Sequence, residues 1–374
     1  MKYRPVLLVF VFIFVITIFG ITPLEAQTQD VPTDEGATPL LPKQTVSDSL
    51  STGDLHTYTV DIEANEFVYG EALQQTVDVV VTVYGPDGTT LDTFDNLARG
   101  AEPFLFSSDT TGRHRIEIKP FEEQQGRYSV SIERIEPVAT APAERVDQLM
   151  AAYAGEDVPG GVVGVIRDGE IVFSEGYGMA NLTYDVPFTT DTPSNIGSVS
   201  KQFTAFAIML LAEQSKLSLD DPVREHIPEL PAFDSTVTLR HLLTHTSGYR
   251  EYLNTLALGG RRILEGDHIS PEEVIDIVQR QPELQNAPGA EWNYNNTGYN
   301  LLSMVVDRVT DQTFPTWMEK NVFEPLGMSQ TLVSSNRSQV VPRSAQGYTP
   351  AEDGGYRNAL TLDAAMGAGG ITRP

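Results

Sequence analysis

Gly197-Ser198-Val199-Ser200-Lys201-Gln202-Phe203-Thr204-Ala205-Phe206-Ala207-Ile208-Met209-Leu210-Leu211 is a polar turn that runs straight into a long apolar segment. The pattern predicts a helix over 201–216 whose first turn carries the chemistry. Ser198 and Lys201 lie three residues apart, and on a helix that spacing stacks two side chains, so the Lys amine can reach the Ser oxygen. A hydroxyl is a poor nucleophile until a base takes its proton. Burial and the positive end of a helix dipole both disfavour an ammonium, which is how a lysine can become such a base. The N–H groups of the same helix start can help hold an oxyanion. This is the chain's one Ser-x-x-Lys, but so short a pattern equally fits a helix cap followed by a solvated lysine.

A second phrase lies downstream: Pro288-Gly-Ala-Glu-Trp-Asn-Tyr294-Asn295-Asn296-Thr-Gly-Tyr299, a turn-rich loop entering another helix. A tyrosine held beside a cationic lysine can act as a base, and an Asn amide can orient both the lysine and a substrate carbonyl. Alone, the phrase also fits an aromatic loop anchor with an Asn cap. Around these two phrases, helical spacing is found at 236–245, 271–280, 297–311 and 314–323, and over 143–154, where Val146, Leu149, Met150 and Tyr153 share a face. Asp168-Gly169 between Val162–Arg167 and Glu170–Ser174 predicts a two-residue β-hairpin. The region from 144 onward is therefore an enzyme-sized α+β (α/β) domain.

Glu136-Pro-Val-Ala-Thr-Ala-Pro-Ala143 has linker composition. Before it, His56–Ile62, Val77–Tyr84, Arg113–Ile118 and Tyr128–Ile132 alternate as strands, with turns at Gly85-Pro-Asp-Gly88 and Thr111-Gly112, so 45–135 is expected to be an all-β sandwich. Residues 27–44 lack periodicity and are expected to be a disordered spacer. At the N-terminus, Lys2 and Arg4, an apolar run from Val6 to Phe19, Pro23 and Ala26 have the layout of a signal peptide over 1–26. The protein is thus expected to be exported, periplasmic or extracellular, with no stable membrane span after cleavage; a retained anchor is the alternative, the run being slightly short of the ~20 residues that span a bilayer.

The 25 Lys and Arg against 51 Asp and Glu give a net charge of -26, which argues against nucleic acid as a partner. The acidity is spread evenly: 7 basic and 20 acidic residues over 27–143, and 16 and 30 over 144–374. It fits a solvated surface. The absence of cysteine excludes a disulfide framework, a cysteine nucleophile, cysteine-ligated zinc and an iron–sulfur cluster.

Four phrases in order, Ser198-Val-Ser-Lys201, Leu239-Arg-His-Leu-Leu-Thr-His-Thr-Ser-Gly-Tyr249, Tyr294-Asn-Asn296 and Phe323-Glu-Pro-Leu-Gly-Met-Ser-Gln-Thr331, resemble the class C β-lactamase-like serine hydrolases. That family includes β-lactamases, D-alanyl-D-alanine carboxypeptidases and esterases. The resemblance covers about 143–372. It implies Ser198 as acylated nucleophile, Lys201 as its activator, Tyr294 as general base and Asn296 as a substrate-orienting amide, with Lys201 against Tyr294 as the base left open. Residues 45–135, with Tyr58, Gly85-Pro-Asp-Gly-Thr-Thr-Leu91, Gly112-Arg-His-Arg-Ile116 and Gly126-Arg-Tyr-Ser-Val130, resemble the pre-peptidase C-terminal type of β-sandwich that accompanies secreted hydrolases.

The family's third motif, a basic or His residue before a small residue and Gly, is not found; the hydrolase domain is expected to be incomplete at its C-terminus, the chain a fragment of a longer protein. His241 and His245 have a metal-ligand spacing without the Glu that H-E-x-x-H requires, and packing or capping is the expectation. Gly367-Ala-Gly-Gly370 is read as a tight turn, and the sequons at Asn181 and Asn336 carry weight only in a eukaryotic secretory route. The expected function is cleavage of an amide or ester in a small molecule or peptide, cell-wall fragments included, through a Ser198 acyl-enzyme, with no cofactor and no metal. The alternative is a non-catalytic surface protein that binds peptidoglycan or another polymer. Oligomeric state is left open.

Overall fold

Alternating apolar residues at Val79, Val81 and Val83 turn one face of a strand inward while the intervening residues stay at the surface. The computed structural model describes residues 36–96, 98–262, 267–334, 340–351, 355–359 and 366–373. Its first part is built from β1 (Thr38–Pro39), β2 (Thr45–Leu50), β3 (His56–Ile62), β4 (Glu66–Gln74), β5 (Val79–Tyr84), β6 (Thr90–Phe94), β7 (Gly100–Ser108), β8 (Gly112–Pro120) and β9 (Gly126–Pro137). They form a five-stranded sheet in the order β1-β3-β8-β5-β6 and a four-stranded sheet in the order β2-β9-β4-β7. Val60, Val81, Phe104, Ile116, Val130 and Ile132 belong to one buried core shared by the two sheets. Tyr58 and Tyr128 bury their rings there, and their hydroxyls satisfy each other at 2.5 Å.

The stretch expected to be a disordered spacer is partly ordered: Thr38–Pro39 pairs with β3, and Leu40 is buried. Burial of that one leucine ties the segment down where composition gave no periodic signal. At the expected linker, β9 continues through Pro137 and α1 (Pro142–Leu149) already begins at Pro142. The buried Gln148 bridges the junction, donating to the Pro137 carbonyl at 2.8 Å and accepting from the Ala139 amide at 3.0 Å. This helix is shorter than the 143–154 pattern, ending before a single 3₁₀ turn at Ala151–Tyr153. Leu149 and Tyr153 are about half exposed, because the helix anchors through polar Gln148 and not through the apolar stripe alone.

β10 (Gly161–Arg167) and β11 (Glu170–Tyr177) form an antiparallel hairpin. Asp168 and Gly169 both have positive φ, 53° and 84°, the twist-matched turn that an Asp-Gly pair favours. Its apolar residues Ile166 and Ile171 are exposed. Helices follow: α2 (Ser200–Glu213), α3 (Val223–His226), α4 (Leu239–Leu243), α5 (Tyr252–Leu258), α6 (Pro271–Gln279), α7 (Asn296–Thr310) and α8 (Phe314–Met318), the last continued by one π-turn over Glu319–Phe323. The 236–245 pattern yields a helix of only five residues, because Thr238 caps it and Thr244 ends it.

Every residue from Thr297 to Val306 of α7 is buried, as expected of a helix surrounded by others. Its Leu301 and Val305 join Leu211, Leu242, Trp317 and Phe323 in a second core. The short strands Ser194–Asn195, Ile371–Arg373 and Leu332–Val333 form a sheet beside the start of α2. Among the described residues, no helix is long and apolar enough to cross a membrane. The signal-peptide assignment and the Asn336 sequon lie outside the described residues.

Gly70 in β4 has no room for a side chain: a Cβ there would meet the Phe104 ring at 2.2 Å and the Ser131 carbonyl at 2.8 Å. Gly70→Ala is expected to cost about 2 kcal/mol of stability through overpacking, read in a denaturant titration. Gly164→Ala, where nothing lies within 4 Å, is expected to leave the midpoint nearly unchanged.

Candidate active site

Gly197 adopts a positive φ of 53°, and its amide donates to Asn195 Oδ1 at 2.7 Å. The chain thereby turns into a 3₁₀ turn, Gly197–Val199, that leads directly into α2. Ser198 is exposed at this turn, whereas Lys201, one turn on, is only 7% exposed. Lys201 Nζ donates to three acceptors: Ser198 Oγ at 3.2 Å, Asn296 Oδ1 at 2.7 Å and the Ala368 carbonyl at 2.9 Å. Three acceptors match the three donors of an ammonium. Ser198 Oγ also accepts from the Tyr294 hydroxyl at 2.7 Å.

The four residues singled out from the sequence, Ser198, Lys201, Tyr294 and Asn296, thus meet at one point. They come from two segments about a hundred positions apart. Asn295, not Asn296, is the helix cap: its Oδ1 accepts the Gly298 amide at 2.8 Å. Asn296, the first residue of α7, is left to face Lys201. Lys201 Nζ also lies 4.7 Å from the centre of the Tyr294 ring and 5.5 Å from that of Tyr299, within reach of a cation–π attraction.

Three further contributors were not legible beforehand. The Gly367–Gly370 phrase is more than a tight turn. Its Ala368 carbonyl is a lysine acceptor, and the Thr204 hydroxyl holds the neighbouring Gly367 carbonyl at 2.8 Å. Glu251 accepts from both the backbone and the side-chain amide of Asn296. His245 stacks on Tyr294, ring centres 4.6 Å apart at 31°, and its Nδ1 accepts the Asn295 amide at 3.0 Å. Glycine phrases and an adjacent Leu-Leu-Thr-His-Thr-Ser-Gly run are the only local signals these groups carry. His241 and His245 do not share a helix face: α4 stops at Leu243 and His245 has a φ of 58°. His241 instead completes the cap of α4, its Nδ1 accepting the Thr238 amide at 3.2 Å. Among the described residues, no cluster of three or more His, Asp or Glu could hold a metal.

The model of the family described as Beta-lactamase matches residues 143–372, more than half of the chain. The chain belongs to the beta-lactamase family. It is 30% identical over 228 residues to a D-aminopeptidase of Gluconobacter oxydans, covering 60% of this chain and 42% of that protein. Among solved structures it resembles the octameric penicillin-binding protein homologue from Pyrococcus abyssi, with a TM-score of 0.53 and 30% identity over 62% of this chain and 52% of that one. A D-stereospecific amidohydrolase from Streptomyces sp. aligns with a TM-score of 0.51 and 25% identity, over 60% and 66% of the two chains. The chain spans less than half the length of the curated relatives it matches first. Membership of this family makes the fold that of a β-lactamase-like serine hydrolase, with mixed sheets and helices.

Burial, and then the charge of Lys201, hold the His245 ring below the usual histidine range. The folded state therefore prefers the neutral ring, and below about pH 6.5 the unfolded chain binds the proton more readily. The associated stability is present above that pH and lost as pH falls toward the lowered folded value. Asparagine tolerates positive φ and keeps an acceptor. His245→Asn should therefore lose less of its thermal midpoint between about pH 7.5 and 5 than the wild type does; equal losses in the two proteins would contradict this.

Proposed function

We propose that this protein is an exported serine hydrolase that cleaves an amide or ester bond through an acyl-enzyme on Ser198. One observation carries the reading: Ser198 Oγ lies between Lys201 Nζ at 3.2 Å and the Tyr294 hydroxyl at 2.7 Å, at an exposed turn. Lys201 already has three acceptors, so the proton is best routed to the tyrosine. Once Tyr294 has released its own proton to solvent, Ser198 Oγ attacks the carbonyl carbon, the serine proton passes to the Tyr294 phenolate oxygen, and the carbonyl oxygen becomes an oxyanion. The first N–H groups of a helix have no partner inside it, so the Ser198 amide can donate to that oxyanion. Collapse expels the amine or alcohol, which takes the proton from Tyr294. Water then attacks the ester on Ser198, giving a proton to the Tyr294 oxygen; Tyr294 passes that proton to Ser198 Oγ as the C–O bond breaks, so the acid departs and both Ser198 and the Tyr294 phenolate are regenerated. Lys201, fixed by its three acceptors, stays beside the two oxygens between which the proton moves.

Asn296 holds Lys201 in place and has one amide hydrogen left for a substrate carbonyl, the other being directed to Glu251. The names of the relatives, a D-aminopeptidase and a D-stereospecific amidohydrolase, favour D-amino-acid amides or peptides, including cell-wall fragments, over simple esters. The resemblance of their phrases supports assigning the two sheets before α1 to a pre-peptidase type module that serves secretion or surface attachment; among the described residues no group like the Ser198 cluster is assembled in them. No metal or organic cofactor is needed for these steps.

Steady-state hydrolysis of a p-nitrophenyl ester and of a D-amino-acid p-nitroanilide tests the roles. Ser198→Ala is expected to abolish turnover. Tyr294→Phe is expected to lower kcat by about 10²–10⁴, the range for loss of a positioned acid–base group, with KM little changed. Full activity in Ser198→Ala would overturn the assignment.

A further inference from the structure

Glu251 precedes α5, where its carboxylate caps the helix by accepting the Leu253 amide at 3.2 Å. The same carboxylate reaches across to the start of α7. Its Oε2 accepts the Asn296 backbone amide, and its Oε1 accepts Asn296 Nδ2 at 3.2 Å. On the other side, Asn296 Oδ1 accepts from Lys201 Nζ at 2.7 Å. A lysine can only donate and a carboxylate can only accept, so both flanks dictate the same orientation of the Asn296 amide. A carboxylate is therefore placed one side chain away from Lys201, and among the described residues its hydrogen-bond partners are neutral N–H groups. None of the described ion pairs includes Glu251.

A carboxylate offers about four acceptor positions. Three are used here, two on Oε1 and one on Oε2, and the residue is partly exposed. The remaining capacity on Oε2 suits a donor that brings a positive charge. We infer that Glu251 is a specificity-determining residue, receiving the free α-ammonium of a substrate whose carbonyl is attacked by Ser198. The preferred acyl donors are then amino-acid amides and peptides with an unblocked amine, and N-acylated equivalents are disfavoured because they lack the charge and add bulk where the ammonium should sit. The net charge of -26 reinforces this by attracting cations to the surface. The inference rests on the acyl-enzyme reading given above.

The test is protection of Ser198 from a fluorophosphonate probe by D-alaninamide and by N-acetyl-D-alaninamide, using the full-length protein. The wild type should be protected by the free amine at a concentration at least about tenfold lower than by the acetylated amide, roughly 1.4 kcal/mol of selectivity. Glu251→Gln removes the charge and should bring the two concentrations within about threefold; the ratio is read, not the absolute rate. In the wild type the preference should also fade as pH rises through the amine's own pKa, near 8, which tests the charge without any substitution. Equal protection of the wild type by the two amides, or a preference that survives both the substitution and the rise in pH, would overturn the inference while leaving the serine assignment intact. Failure of the wild type to label at Ser198 would instead remove the reading on which it rests, and the inference with it.

Discussion

A lysine ammonium that is 7% exposed must be given acceptors, and the site is arranged around that demand. An unpaired buried charge is far too costly to persist. Lys201 finds its three acceptors in three segments: its own turn at Ser198, the head of α7 at Asn296, and the Ala368 carbonyl. Satisfying the charge therefore brings Ser198 into place and locks the two helices to the glycine-rich segment. Loss of any one acceptor would leave the charge underpaired, which couples local fold to function.

The supports of these acceptors are built by packing. The buried stretch of α7 fixes where Asn296 emerges, and Asn295 relieves it of the capping duty. α4 packs beside Gly298, where an added Cβ would touch Leu242 at 3.5 Å, an ordinary contact. Gly367 is held with φ at 91°, and a Cβ there would sit 2.3 Å from the Tyr299 carbonyl. Only glycine brings the Ala368 carbonyl to the lysine along that path. His245, neutral and stacked on Tyr294, keeps the phenol ring aimed at Ser198 without placing a second positive charge beside Lys201.

Much of this was legible wherever a rule is local. The Asp168-Gly169 turn, the β3 alternation and the start of α2 follow from spacing and turn chemistry, and Ser198 and Lys201 meet because a helical turn stacks them. Tyr294 and Asn296 could be paired with them only through the four-phrase resemblance, since spacing carries no information about contacts between residues about a hundred positions apart. Ala368 was invisible because a backbone carbonyl has no side-chain signature, and Glu251 because one acid among 51 Asp and Glu residues announces nothing. The α1 region misled for a related reason. A single buried Gln148, bonded to the end of β9, outweighs an apolar stripe that leaves Leu149 and Tyr153 half exposed.

In the proposed reaction Ser198 becomes covalently acylated during turnover. Rapid acid quench of the protein mixed with an activated ester, followed by peptide mass spectrometry, tests it most directly. An adduct of the acyl mass is expected on the peptide containing Ser198, formed within the first turnover and lost as substrate is exhausted. Product formation with Ser198 unmodified at every time point, or a transient adduct on another residue, would contradict it.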